Sequence, residues 1–133
     1  MIPFSKTRMH LLRLLDDEYQ KLYTKHYEEQ KAIGNRIPVG GGDWMDMFFR
    51  CEALRGCIGA LRTDKSLDEA VAEGKTVSEI SIRIWNGKRE YQVHRWDKCC
   101  HSYLDGMIAR LLPAAKELTK NEMGLAKPAP DVL

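Results

Sequence analysis

The dipeptide Asn86-Gly87 lies between two runs of alternating residues and restricts the fold more than any other feature of this chain. Asn-Gly favours a type I′ turn because both residues accept positive φ, and this turn connects the strands of a β-hairpin. The runs from Ile80 to Trp85 and from Lys88 to Trp96 have the composition and period of strands. The sequence therefore predicts an antiparallel hairpin over residues 77–96.

The predicted turn also determines which residues face each other across the hairpin. Arg83 should lie opposite Glu90, and Ile82 should lie opposite Tyr91, because side chains alternate between the two faces of a strand. One face is then mostly apolar and packs on the core, whereas the other combines cations with aromatic rings. The outward surface predicted to bind a partner consists of Arg83, Trp85, Lys88, His94 and Trp96.

The first helix is predicted from Ser5 to Ile33 and is stopped by Gly34. Its apolar residues recur at spacings of three and four, namely Leu12, Leu15, Tyr19, Leu22 and His26. At 1.5 Å per residue such a helix is roughly 40 Å long, more than a compact domain of this size needs. Leu11, Leu14, Tyr23 and Tyr27 widen its apolar surface, so we expect a second copy of the chain to cover part of it.

Three further helical segments are predicted. Asp43 should cap a helix whose apolar positions are Trp44, Met47, Cys51, Leu54, Ile58 and Leu61. A capping box of Ser66 and Glu69 predicts a short helix that ends at Gly74. Asp97 should cap the last helix, which Pro113 kinks or splits.

This order of elements predicts a helix-dominated α+β fold, with three main helices and one antiparallel β-hairpin between the second and last helical segments. Residues 1–123 should form a single domain, and residues 124–133 a mobile C-terminal tail with two prolines. A chain of 133 residues with 44% hydrophobic residues can bury a core without disulfides or metals.

Charge and composition favour an ordinary cytoplasmic protein. The 21 basic and 19 acidic residues give a net charge of +2, which is too balanced to indicate nucleic-acid or membrane-surface binding. No apolar run is long enough to span a membrane, and the first residues lack a signal-peptide core. We therefore expect the four cysteines to be reduced.

A thiol site at Cys99 is the main catalytic alternative. If Asp97 caps the last helix, Cys99 and Cys100 lie in its first turn, where the helix dipole and His101 would favour a thiolate. Cys100 also belongs to the apolar stripe, however, which favours a structural role. Zinc-site spacings and the Glu-x-x-His pattern of di-iron bundles are both absent from the sequence, so no metal or cofactor is predicted.

The sequence thus predicts a small, non-enzymatic binding or regulatory module that acts through protein-protein contacts of its hairpin face as a homodimer. Exposed Trp and Arg are frequent anchors of protein interfaces. A nucleic-acid-binding accessory protein is the alternative, because a basic two-stranded ribbon with aromatic side chains fits the major groove. A thiol-dependent enzyme using Cys99 is the third hypothesis.

Overall fold

The computed structural model describes residues 5–32, 34, 42–86 and 90–123, with backbone alone at 42–44, 85, 86, 90–94 and 123. The four helices are α1 (Lys6–Ala32), α2 (Gly42–Leu61), α3 (Leu67–Asn86) and α4 (Glu90–Met123). No strand occurs in these ranges. The protein is an all-α bundle, and the predicted α+β fold is wrong.

The helices alternate in direction along the bundle. Contacts between α1 and α4 join Thr7 to Thr119 and Glu18 to Arg110, so rising numbers on one helix meet falling numbers on the other. The same order relates α3 to α4, where Lys75 pairs with Asp105 and later residues of α3 pair with earlier ones of α4. Helices α2 and α4 each contact all three other helices, and the contact between α2 and α3 is the most extensive.

The predicted hairpin at 77–96 is helical wherever the structure describes it. The burial of its isoleucines fits a helix. Ile82 is completely buried, whereas Ile80 is 54% and Ile84 is 75% exposed. At about 100° per residue, positions 80 and 84 share one side of a helix and position 82 lies nearly opposite. Arg83 consequently donates to the Glu79 carbonyl and to the Asp97 carboxylate, and the side chain of its predicted partner Glu90 lies outside the described residues.

Helices α1 and α2 agree closely with their predicted bounds. Gly34, with a φ of 70°, follows α1, and its amide donates to the Lys31 carbonyl at 3.1 Å. The predicted stripe of α2 is buried at Met47, Cys51, Leu54, Ile58 and Leu61. Asp43 lies just inside α2, and its side chain is outside the described part of the protein, as is that of Trp44.

Helix α3 begins as predicted but continues far beyond its predicted end. The capping box is present, since the Ser66 amide donates to Glu69 Oε1 and the Glu69 amide donates to Ser66 Oγ. Gly74 does not end the helix. A Cβ atom at Gly74 would come within 2.5 Å of the Ala53 carbonyl oxygen, so the glycine allows α3 to approach α2 closely.

Helix α4 begins seven residues before Asp97, at Glu90, so Asp97 does not cap it. Pro113 is inside the helix on an exposed side, and the helix is not split there. The predicted tail at 124–133 lies outside the described residues.

Two clusters of buried side chains hold the bundle together. The larger involves all four helices and includes Leu11, Leu15, Leu54, Cys57, Leu61, Ala70, Leu104 and Leu111. The smaller contains Met45, Phe49, Ile82, Trp96 and Cys100, where α2, α3 and α4 meet. Arg8 of α1 adds a polar connection, because its guanidinium donates to the carbonyls of Leu61, Thr63 and Lys65 at the end of α2.

Candidate binding site

The residues predicted to form a binding surface do not share one face in the part of the protein that the structure describes. Arg83 is exposed on α3, and its Nη2 atom lies 3.1 Å from Asp97 Oδ2. Trp96 is buried against Phe49, with ring centroids 5.3 Å apart. The side chains of Trp85, Lys88 and His94 lie outside the described residues. Of the five predicted residues, the two with described side chains therefore have different roles: Arg83 forms an ion pair and Trp96 belongs to the core.

The predicted thiol site also has a different environment from the one expected. Cys99 lies well inside α4 rather than in its first turn, so the helix dipole does not act on it as predicted. Arg50 of α2 reaches the thiol, with Nη2 3.5 Å from Cys99 Sγ, and its guanidinium lies 5.0 Å from the centre of the Tyr103 ring. The hydrogen bond to Cys99 is the main cause that raises the pKa of Arg50.

The other three cysteines are buried, which indicates a structural role. Burial raises the pKa of Cys51, Cys57 and Cys100 to about 12, so these thiols stay protonated at neutral pH. Cys99 is half-buried and is the one accessible thiol. Glu79 Oε1 lies 2.9 Å from His101 Nε2, which places the histidine in an interhelical pair with α3.

A pocket lined by aromatic rings lies between α1 and α2. It has a volume of about 220 Å³ and is lined by Tyr19, Tyr23, His26, Tyr27, Gln30, Phe48, Cys51 and Glu52. We call this the tyrosine pocket. Tyr23 is 48% and Tyr27 is 57% exposed, so these two rings form its rim.

The helical period explains why these rings come together. Positions 19, 23, 26, 27 and 30 are separated by steps of three and four along α1, and 48, 51 and 52 are related in the same way along α2. Tyr19 and Tyr23 stack with ring centroids 5.9 Å apart. His26 and Phe48 approach from opposite helices, with ring centroids also 5.9 Å apart.

Burial shifts the pKa of three ionisable groups that line the tyrosine pocket. Burial is the main cause that lowers the pKa of His26, which favours the neutral imidazole. Burial also raises the pKa of Tyr19, and it raises the pKa of Cys51 to about 12. Of the lining residues that the structure describes, Glu52 is the one acidic residue and none is a lysine or an arginine.

Glu52 is held in place by its neighbours. Arg55 Nη2 lies 2.6 Å from Glu52 Oε2, and the Ser81 hydroxyl lies 3.4 Å from the same oxygen. The Glu52 side chain is 19% exposed, whereas that of Arg55 is 58% exposed. Both contacts use Oε2.

Sequence reasoning did not identify this pocket, although part of its signal was present. Tyr23 and Tyr27 were recognised as apolar surface that needs cover, and Tyr19 and His26 were placed on the buried stripe. The contribution of α2 depends on how that helix rotates against α1, which spacing within one helix does not determine. Phe48 and Glu52 therefore join the pocket only in the folded protein.

Comparisons with protein-family models, with curated proteins and with solved structures find no match for this chain. Among the residues that the structure describes, no helix is long and apolar enough to cross a membrane. No group of three or more His, Cys, Asp and Glu side chains in these same ranges could hold a metal ion. The assignment of a function therefore depends on the geometry of the site.

Proposed function

We propose that the protein is a non-catalytic binding module that uses the tyrosine pocket to hold one small organic group of its ligand. The observation that carries this proposal is the convergence of aromatic side chains from α1 and α2 on one concave site. Pockets lined by aromatic rings with a few polar groups are the usual form of small-molecule sites.

The size of the pocket limits what it holds. Sites for drug-sized ligands have volumes of about 300–1,000 Å³. A volume of about 220 Å³ is below this range and suits a single headgroup or side chain. The exposed rings of Tyr23 and Tyr27 offer further contact area for whatever carries that group, because tyrosine combines an apolar ring with a polar hydroxyl.

This proposal keeps the binding role expected from the sequence and moves it to another surface. The nucleic-acid alternative has less support, because Arg83 is paired with Asp97 and Trp96 is buried. A homodimer that covers Tyr23 and Tyr27 would compete with a ligand for the pocket, because these exposed rings form its rim.

Amide NMR spectra of the protein titrated with two probes test the proposal. The probes are choline and neohexyl alcohol, which has nearly the same shape but no charge. We expect at least one of them to shift resonances of residues that line the tyrosine pocket, at millimolar concentration. Tyr23→Ala should weaken the response, whereas Met9→Ala, at an exposed apolar residue of α1 outside the pocket, should not. If neither probe shifts pocket resonances, the proposal is wrong.

A further inference from the structure

The chemistry of the tyrosine pocket points to the charge of its ligand, an inference that rests on the proposed function. We infer that the pocket selects an alkylated ammonium cation, the group present in choline and in trimethylated lysine. The grounds are the juxtaposition of several aromatic rings with the Glu52 carboxylate and a lining that, as far as the structure describes it, has no basic side chain.

Electrostatics disfavour an anionic ligand. Phosphate and carboxylate groups are usually bound by arginine, lysine or backbone amides at a helix start. Among the described residues, the lining contains no arginine or lysine, and burial lowers the pKa of His26, which favours its neutral form. The guanidinium of Arg55 is already paired with Glu52 at 2.6 Å. An anion would therefore meet the negative charge of Glu52 without a compensating cation in the lining.

Hydration favours an alkylated cation over a bare ammonium group. A primary ammonium is compact and strongly hydrated, and it needs hydrogen-bond acceptors to replace the water it loses. A trimethylammonium group has no N–H donor and carries its charge on an apolar surface, which aromatic rings stabilise through their negative faces. Rings of Tyr19 and Tyr23 from α1 and of Phe48 from α2 line the same small space. This composition matches an alkylated cation.

The position of Glu52 supplies the charge complement. Its side chain is 19% exposed, so water screens it less than it screens a fully exposed carboxylate. Arg55 pairs with Glu52 Oε2, and a bound cation would compete with Arg55 for the carboxylate. Arg55 is 58% exposed, so water can readily solvate its guanidinium when the cation binds. Removal of Arg55 should therefore strengthen binding of a cationic ligand, whereas removal of Glu52 should weaken it.

The test compares dissociation constants of choline and neohexyl alcohol for the full chain by NMR titration at low salt. We expect choline to bind more tightly, and Glu52→Gln to weaken choline about fivefold while changing neohexyl alcohol less than about twofold. Tyr23→Ala should weaken choline about two- to fivefold. Arg55→Gln should tighten choline. Glu18→Gln is the matched control, because that carboxylate is 24% exposed and lies outside the pocket lining.

Each outcome has a distinct meaning. Equal binding of the two probes, or equal loss of both in Glu52→Gln, overturns the selection of cations but leaves the proposed binding function in place. Failure of both probes overturns the proposed function and the inference together. A third titration, with N-acetylated trimethyllysine amide, distinguishes the sources of the cation: tighter binding than choline indicates a modified protein side chain, and weaker binding indicates a small molecule. Circular dichroism of each variant confirms that the helices are retained.

Discussion

Arg8 should contribute more to stability than any other charged residue of α1, because its guanidinium binds backbone carbonyls at and just after the end of α2. Its side chain is 7% exposed and makes hydrogen bonds to three backbone carbonyls. The Leu61 carbonyl accepts hydrogen bonds from Arg8 Nε at 3.0 Å and from Arg8 Nη2 at 2.8 Å. Leu61 itself is completely buried. We predict that Arg8→Met, which keeps an apolar stem, leaves these acceptors without their donor.

The expected cost follows from the surroundings of each acceptor. An unsatisfied buried carbonyl costs about 1–3 kcal/mol, and this applies to Leu61. Thr63 is exposed and Lys65 is half-buried, so water replaces part of their hydrogen bonds and about 0.5–1 kcal/mol each is lost. Loss of a cation from the negative end of α2 adds about 0.3–1 kcal/mol. Arg8→Met should therefore lower the free energy of unfolding by about 2–6 kcal/mol.

Urea denaturation followed by circular dichroism measures this effect. With a slope of about 1.5 kcal/mol per M, the midpoint should fall by about 1.5–4 M with no change in slope. Arg8→Lys should lie between Arg8→Met and the wild type, because one ammonium cannot reproduce the fork of donors. Arg13→Met, at an exposed arginine of the same helix, is the control and should stay within about 0.5 kcal/mol. A loss below about 1 kcal/mol in Arg8→Met would show that the reasoning is wrong.

Four further predictions concern other parts of the bundle. Gly74→Ala should lower the free energy of unfolding by about 1–3 kcal/mol, because the new Cβ would lie 2.5 Å from the Ala53 carbonyl oxygen. Gly59→Ala, with no heavy atom within 4 Å of the new Cβ, should raise it by about 0.5–1 kcal/mol in the same urea experiment. Burial lowers the pKa of His26, so the unfolded chain binds its proton more readily than the folded protein. Stability should therefore fall as the pH drops below the ordinary histidine pKa of 6.5, and His26→Gln should reduce that slope. Cys99 should react with iodoacetamide before the other three thiols, as mass spectrometry of peptides would show, because those thiols are buried with a pKa of about 12. Light scattering should give about twice the chain mass of 15.3 kDa if a second copy covers the exposed tyrosines of α1.

Specific results would contradict these four predictions. Equal effects of Gly74→Ala and Gly59→Ala would mean that the close approach of α2 and α3 is not needed. An unchanged pH slope in His26→Gln would show that another group causes the acid sensitivity. Labelling of a buried cysteine before Cys99 would indicate that the bundle opens locally. A monodisperse monomer at micromolar concentration would rule out the homodimer.

Signals that depend on a single helix were read correctly from the sequence. Residues spaced by three and four along α1 and α2 share one face because of the 3.6-residue period. The α2 stripe that contains Leu54 is buried where its side chains are described, whereas the α1 stripe is buried at Leu15 and His26 and only partly buried at its other positions. The capping box of Ser66 and Glu69 forms because both of its hydrogen bonds lie within four consecutive residues. The glycine after α1 acts as a stop because it adopts positive φ.

The region around Asn86-Gly87 was misread because its local signal fits two structures. Asn and Gly favour a type I′ turn, but they also commonly follow the last residues of a helix, and α3 ends at Asn86. The helix propensity of isoleucine is only a few tenths of a kcal/mol poorer than that of alanine. Burial of a side chain such as Ile82 contributes about 1.5–3 kcal/mol, so packing against Phe49 and Trp96 outweighs the local preference.

The sequence by itself determined the helical faces of α1 and α2, the stop after α1 and the start of α3, since these depend on neighbours within one or two turns. The tertiary structure alone decided that segments on both sides of Asn86-Gly87 are helical, that Gly74 lies at a helix contact, and that Phe48 and Glu52 meet the tyrosines of α1. The physical reason is that these features depend on which helices pack together and at what rotation. Such packing is set by the burial of side chains far apart in the chain, which local periodicity does not encode.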